Sequence, residues 1–341
     1  MSGPGPAAWG RLRRVSAIVW IAALSLAAWL WLLLCQGFFW RTDVRLPPGD
    51  DPGVWPPVCV VVPARDEAAV LPASLPSLLA QDYPGRAEVF LVDDGSTDGT
   101  GELARALARE HGGLPLTVGS PGEPPAGWTG KLWAVRHGIG LARARGPEFL
   151  LLTDADIAHA PDSLRTLVAA AGTGGFDMVS QMARLRVESR WERLVVPAFV
   201  YFFAQLYPFR RIGRAGTATA AAAGGCVLLR AEAAERARVP DAIRQAVIDD
   251  VALARAVKGS GAASGWVSPT GWTACAPTRA STTCGGWCPA APTPNCGTVR
   301  RCWRGRWPGS RWSTWCRRWR WWRGRPRGAR RRRRPAGSPG W

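Results

Sequence analysis

Two aspartates separated by one small residue, in Asp154-Ala155-Asp156, have a type and spacing that suggest chemistry. At the end of a strand, both carboxylates can turn toward one hard cation. Mg²⁺ or Mn²⁺ takes one or two protein carboxylates and completes its shell with phosphate oxygens and water. Such an ion would stabilise a leaving diphosphate as charge develops on it. Taken alone, the pair also reads as an Asp-rich turn or a helix cap. Three further clusters have the same double character. Asp93-Asp94-Gly95-Ser96 offers a carboxylate to a nucleobase or ribose, or forms a turn whose Thr97 or Asp98 caps the next helix. Gly127-Trp128-Thr129-Gly130-Lys131 is a turn whose single cation can meet a diphosphate, or an exposed loop lysine. Ile248-Asp249-Asp250 precedes the apolar Val251-Ala252-Leu253. One of its acids can serve as general base if burial or neighbouring charge raises its pKa. Both can instead be the acids that favour a helix N-terminus.

The elements that must position these residues follow from hydrophobic pattern. Val58-Cys59-Val60-Val61-Val62, ending at Pro63, predicts a buried parallel strand. A helix is predicted over 67–79, a second strand over 88–92, a helix over 101–110, and a strand over 149–153 that runs into Asp154. Strands alternating with helices describe an α/β sheet, in which ligands bind beyond the carboxyl ends of the strands. The acidic clusters sit at those ends.

In order and spacing these segments resemble the family 2 glycosyltransferases, which have the GT-A fold, a mostly parallel sheet flanked by helices. The resemblance covers about residues 57–256. Val61-Val62-Pro63-Ala64-Arg65-Asp66-Glu67 is similar to the family's opening strand and nucleotide loop. Leu91-Val92-Asp93-Asp94-Gly95-Ser96-Thr97-Asp98 is similar to its donor-binding aspartate motif. The resemblance implies donor contacts at Pro63, Ala64, Arg65, Glu67, Asp93, Asp94, Lys131 and Asp154, with Asp94 at the base. It implies a divalent cation, Mg²⁺ or Mn²⁺, at Asp154 and Asp156. Ile248-Asp249-Asp250 stands where the family usually has Glu-Asp, so Asp250 inherits the role of catalytic base. The Asp at position 249 leaves open which carboxylate acts. Trp128-Thr129-Gly130-Lys131-Leu132-Trp133-Ala134, Leu152-Thr153-Asp154-Ala155-Asp156-Ile157, and the segment from Pro197 to Phe209 resemble the hopene-associated glycosyltransferases of bacteria. That resemblance implies an inverting transfer from a nucleotide-sugar donor to a polycyclic or other lipid acceptor.

Residues 1–14 are basic, and 15–35 are apolar apart from Ser16 and Ser25. This length spans a bilayer core of about 30 Å and predicts a transmembrane helix. A cleaved signal peptide is the alternative, since Arg11, Arg13 and Arg14 resemble a basic n-region. Those arginines favour a cytoplasmic N-terminus, whereas nucleotide sugars require the catalytic domain on the cytoplasmic face of the cell inner membrane. Either the charge bias misleads, or a re-entrant or interfacial seating of the segment reconciles the two. A linker is expected over 36–56 and the glycosyltransferase domain over 57–257. From Leu194 to Phe209 the chain is apolar and aromatic except for Gln205, which suits either an interfacial helix that admits a lipid acceptor or an ordinary core helix. Ala220 to Cys226 suits close packing beneath an acceptor or a plain tight turn, and Cys226 reads as a buried thiol.

The formal net charge is +19, yet residues 1–257 hold 26 Lys and Arg against all 25 Asp and Glu. Their near-neutrality leaves no nucleic-acid partner expected for that part. Residues 258–341 carry the other 18 basic residues, no acid, no Leu, Ile or Phe, and 11 of the 20 tryptophans. Without aliphatic periodicity they are expected to be disordered. Cys275, Cys284, Cys288, Cys296 and Cys302 lack the paired spacing and histidines of a metal module. An Arg/Trp tail that binds nucleic acid or a membrane surface is the alternative function for the chain. A frameshift near residue 258 is the reading that best suits the composition. Read one base back, plausible codons for residues 262–272 and 304–319 restore acids, aliphatic residues and a membrane-like run.

Overall fold

A computed structural model of the chain describes residues 6–41, 43–45, 49–185, 187, 189–214 and 216–267. Seven strands form one sheet: β1 (Val58–Ala64), β2 (Ala87–Asp93), β3 (Leu116–Gly119), β4 (Phe149–Thr153), β5 (Met178–Gln181), β6 (Cys226–Arg230) and β7 (Ser264–Val267). Their spatial order is β3-β2-β1-β4-β6-β5-β7. The β3-β2-β1-β4 half is parallel, β6 runs antiparallel to both neighbours, and β7 returns parallel to β5. This is a mostly parallel sheet of the GT-A type.

The helices are α1 (Pro6–Leu34), α2 (Leu71–Leu79), α3 (Thr100–His111), α4 (Gly130–Arg143), α5 (Ser163–Gly174), α6 (Arg190–Leu206), α7 (Phe209–Ile212), α8 (Ala231–Arg236) and α9 (Asp249–Gly259). Alternation along β1 shows why they fall on both faces. Val58, Val60 and Val62 pack with Leu75 of α2, Leu107 of α3 and Leu167 of α5. Cys59 and Val61 pack on the other side with Ile139 of α4, Ala233 of α8 and Leu253 of α9. A strand covered on both faces has no polar side, hence the unbroken valine run. Helix α4 lies very close to β1 because Gly138 faces Val61; a Cβ there would come within 2.5 Å of the Val61 Cγ1 atom. Cys59 and Cys226 are buried in this core, and burial pushes their thiols up to about 11 and about 12.

Several expectations need correction. The helix expected from residue 67 begins only at Leu71. Residues 66–68 are instead bound to the loop after β2: Asp66 N–H donates to Ser96 Oγ at 3.0 Å, Glu67 N–H to Thr100 Oγ1 at 2.9 Å, and Ala68 N–H to Asp98 Oδ2 at 3.0 Å. Gly99 occupies the N-cap position of α3, while Asp98, one residue earlier, accepts from the Thr100 N–H at 3.1 Å and so satisfies the first donor of the helix. The segment over 36–56 is more than a linker. Phe39 is buried, Asp43 pairs with Arg210, and Asp50 N–H donates to Thr173 Oγ1 at 3.0 Å.

The composition break at residue 258 is not a structural boundary either. Helix α9 runs through it, and β7 pairs with β5 beyond it. Lys258 anchors this stretch: its Nζ donates to the carbonyls of Ile212, Arg214 and Thr219 at 2.8–2.9 Å. Trp266 is buried, stacked on Phe209 at 4.8 Å between ring centroids. The remainder of the expected tail, including Cys275 to Cys302 and the arginine run, lies outside the described residues.

One helix among the described residues is long and apolar enough to cross a membrane. Its window Ala17–Leu34 has a mean hydropathy of 2.3, and none of it is buried.

Candidate functional site

The carboxyl ends of β1 and β4, the start of α4 and the start of α9 converge on one cavity. Pro63, Lys131, Asp154, Gly224, Asp249 and Asp250 line it. Lys131 is not on a loop. Thr129 caps α4, its side chain accepting from the Leu132 N–H, and Lys131 falls in the first helical turn. A cation there opposes the helix dipole, and two carboxylates offset this. Lys131 Nζ lies 2.9 Å from Asp154 Oδ1 and 3.1 Å from Asp249 Oδ2. Burial works against the ammonium, but Asp154 and Asp249 outweigh it, and the Lys131 pKa rises above the ordinary lysine range.

Asp249 and Asp250 both open α9, as acids at a helix N-terminus should, and the fold gives them different surroundings. Asp249 is tied to Lys131. Asp250 accepts from the Val251 N–H at 2.7 Å and from the Gly224 N–H at 3.3 Å. Burial, with Asp249 alongside, lifts the Asp250 carboxyl above the usual carboxylate range despite those two donors. The arrangement favours Asp250 as a base and Asp249 as a partner for the lysine.

The other predicted donor residues form a second group beside the cavity. Asp94 is buried, and its Oδ2 lies 3.4 Å from the Arg65 guanidinium. Burial raises the Asp94 carboxyl, with Arg65 acting the other way. Its backbone N–H donates to the Ala64 carbonyl at 2.9 Å, which joins the ends of β1 and β2. Gly130 makes room for it: a Cβ at 130 would sit 2.2 Å from Asp94 Oδ2. Asp93 faces the turn, accepting from the Ser96 N–H at 2.9 Å. Arg65, Glu67, Asp93, Asp94 and Asp156 are outside the lining of the cavity itself.

Sequence reading passed over the groups that hold Asp154 in place. Thr153 Oγ1 donates to the Gly225 carbonyl at 2.7 Å and lies 3.0 Å from His159 Nε2, while His159 Nδ1 lies 3.4 Å from Ser163 Oγ. With the threonine proton given to Gly225, His159 must donate from Nε2 and accept at Nδ1. Burial drives its pKa down to about 4, so the ring is neutral. This chain of bonds ties the end of β4 to the turn at 224–225 that holds Asp250. A histidine three residues after the acidic pair was the only signal available.

Among the described residues no group of three or more His, Cys, Asp or Glu side chains clusters as a metal site. Two carboxylates at a strand end nevertheless fit Mg²⁺ or Mn²⁺, which draws its remaining ligands from phosphate and water. Asp154 and Asp156 are the oxygen donors that would hold it.

Comparison with known proteins identifies the family and the fold. The model of the family described as "Glycosyl transferase family 2" matches residues 59–238. An undecaprenyl-phosphate 4-deoxy-4-formamido-L-arabinose transferase of Aeromonas hydrophila is 36% identical over 159 residues, 45% of this chain and 41% of that protein. A beta-monoglucosyldiacylglycerol synthase of Synechocystis is 30% identical over 179 residues, 47% of this chain and 36% of that protein. The chain thus spans about two fifths of the length of these relatives. A mannosyltransferase of Pyrobaculum calidifontis, solved with GDP-Man and Mn²⁺, superposes with a TM-score of 0.56 at 24% identity. The match covers 77% of this chain and 69% of that one, a likeness of fold.

Proposed function

The chain belongs to glycosyl transferase family 2, and from that premise we propose that it moves a sugar from a nucleotide-sugar donor to a membrane lipid, with inversion. The observation that carries the proposal is Asp250, a carboxylate with raised pKa, lining one cavity with Lys131 and Asp154. Asp250 takes the proton of an acceptor hydroxyl as that oxygen bonds to the anomeric carbon. The bond from that carbon to the diphosphate breaks with its electron pair, and the nucleoside diphosphate leaves. Lys131, kept charged by Asp154 and Asp249, meets the negative charge that develops there. Asp94, with Arg65 beside it, accepts hydrogen bonds from the base. A bound Mg²⁺ or Mn²⁺ at Asp154 and Asp156 supplies further neutralisation of the diphosphate.

A lipid acceptor is supported by the two relatives, whose names specify undecaprenyl phosphate and a glucosyldiacylglycerol. The resemblance to hopene-associated enzymes narrows this reading to a polycyclic lipid such as a hopanoid. Placement at the cell inner membrane with the catalytic domain on the cytoplasmic face follows from the donor, because nucleotide sugars are cytoplasmic.

We propose as well that the reading frame shifts near residue 258, and the genetic code supports this. A tryptophan codon is TGG; read one base back it becomes NTG, which encodes Leu, Met or Val whatever base precedes it. All 11 tryptophans after residue 257 therefore become aliphatic in that frame. Trp266 supports the point, since its indole N–H is buried without a partner where an aliphatic residue would leave no orphan donor. Resequencing the gene across the codons for 258–267 tests this, and an intact single frame there would remove the idea.

The function itself is tested by nucleotide-sugar binding across a donor panel with and without Mn²⁺. The intact chain should bind one donor in a metal-dependent manner and Asp156→Ala should lose that dependence. Undiminished Mn²⁺-dependent binding in the variant counts against the metal assignment, and binding to no donor counts against the function.

A further inference from the structure

Helix α6 answers a question the sequence left open, because its outward face is apolar. Trp191, Leu194, Val195, Phe202 and Leu206 are all exposed, and at 3.6 residues per turn they form one stripe along the helix. The opposite face packs inward through Val200, Phe203 and Ala204. A core helix would bury its apolar stripe, whereas α6 buries the narrower share and presents the wider one.

The neighbouring segment indicates what covers this face. The apolar window of α1 is 18 residues long with none of it buried, enough to span roughly 27 Å at about 1.5 Å per residue. Its exit is fastened to α6 and α7. Gln36 Nε2 donates to the Gln205 carbonyl at 3.2 Å, Arg211 to the Cys35 carbonyl at 2.7 Å, and Phe39 meets Tyr201 edge-on at 5.2 Å. Trp40 is exposed at the same level, its indole donating to the Leu33 carbonyl. A tryptophan at the end of an apolar span marks the headgroup depth of a bilayer. Helix α6 is therefore held where a spanning helix leaves the hydrocarbon. Arg190 is exposed in its first turn beside the stripe, a charge that suits anionic headgroups.

We infer that α6 lies in the plane of a bilayer containing anionic lipids, its Trp191-to-Leu206 stripe set into the headgroup–acyl boundary. Its inner face shares one cluster with Val251 and Ala221, neighbours in sequence of Asp250 and of the turn at Gly224. The helix that rests on the lipid thus also backs the proposed base. The inference concerns where the protein sits and holds whichever acceptor is used.

Photo-crosslinking tests it. The full chain is placed in nanodiscs of phosphatidylethanolamine and phosphatidylglycerol, with Leu194→p-benzoyl-phenylalanine or Phe202→p-benzoyl-phenylalanine. Leu24 in α1 serves as a lipid-facing control and Glu110 in α3 as an aqueous one. The expected result is a mass increase of one phospholipid at 194, 202 and 24, and none at 110. A crosslink from 194 or 202 to a second copy of the chain would overturn the inference in favour of a protein interface. Lipid adducts at 24 with none at 194 and 202 would overturn it outright. Neither readout depends on sugar transfer, so failure here is distinct from failure of the proposed function.

Discussion

At the scale of single residues, two adjacent aspartates have different partners, Lys131 for Asp249 and the Gly224 N–H for Asp250, and different work is proposed for them. Asp250→Asn keeps the shape and removes the base, so transfer should fall roughly 10²–10⁴-fold while donor binding by calorimetry stays unchanged. The raised Asp250 carboxyl fixes two pH effects. The base must be ionised to act, so the rate should decline as pH falls through a value above the ordinary carboxylate range. The stability effect has the opposite sign. A carboxyl that holds its proton more tightly folded than unfolded costs stability once it is ionised, and the cost vanishes below the ordinary carboxylate range. Asp250→Asn should therefore match or exceed the parent Tm at pH 7 and lose that advantage in acid. Lys131→Met leaves Asp154 and Asp249 facing each other without the ammonium that now bridges them. Steady-state kinetics should show a fall in kcat/KM of about 10²-fold or more; an unchanged kcat/KM would mean that the lysine only ties two elements together.

At the scale of elements, the site depends on close approaches that side-chain size controls. Gly130 opens α4 with Asp94 against it. Gly130→Ala places a Cβ against Asp94 and drives the carboxylate from its place. Nucleotide affinity should weaken by about tenfold, an order-of-magnitude expectation for a displaced charged hydrogen bond, measurable by calorimetry. The strand β4 and the turn at 224–225 are joined by Thr153, so Thr153→Val is the matching test. It leaves the buried His159 N–H and the Gly225 carbonyl short of a partner, at a cost of about 1–3 kcal/mol, measurable as a shift in the urea midpoint. The first helix boundary shows where element reading failed. Residues 67–70 have helical composition, but the side chains of Ser96, Thr100 and Asp98 take the backbone N–H groups of Asp66, Glu67 and Ala68 across the sheet end. Pattern along the chain carries no information about partners 30 residues away.

At the scale of the whole molecule, the fold continues past the composition break at residue 258. A chain cut after Val267 keeps β7 and the Lys258 anchor and should retain donor binding and a cooperative unfolding transition. A cut after Val257 removes both, together with Trp266, and should give a protein that is protease-sensitive and binds no donor. If the shorter chain proves as stable as the longer, β7 is dispensable and the boundary at 257 stands. The longer cut also separates the two functional readings, since a binder acting through the Arg/Trp tail would lose its function with residues 268–341.

Much of the architecture was legible from residue order alone. The valine run of β1, the apolar β2 and β4, and the acidic clusters that close them announce a parallel sheet with its chemistry at the strand ends, because a strand buried on both faces must be apolar and must become polar where it leaves the core. Membership in the family is also written locally, in motifs of a few adjacent residues. Only tertiary structure decided the rest: that Lys131 bridges Asp154 and Asp249, that Asp250 instead accepts from the Gly224 N–H, that His159 steadies β4, and that α6 faces outward. Each of these depends on contacts between segments far apart in sequence or on which side of an element is covered, and burial and charge act through space.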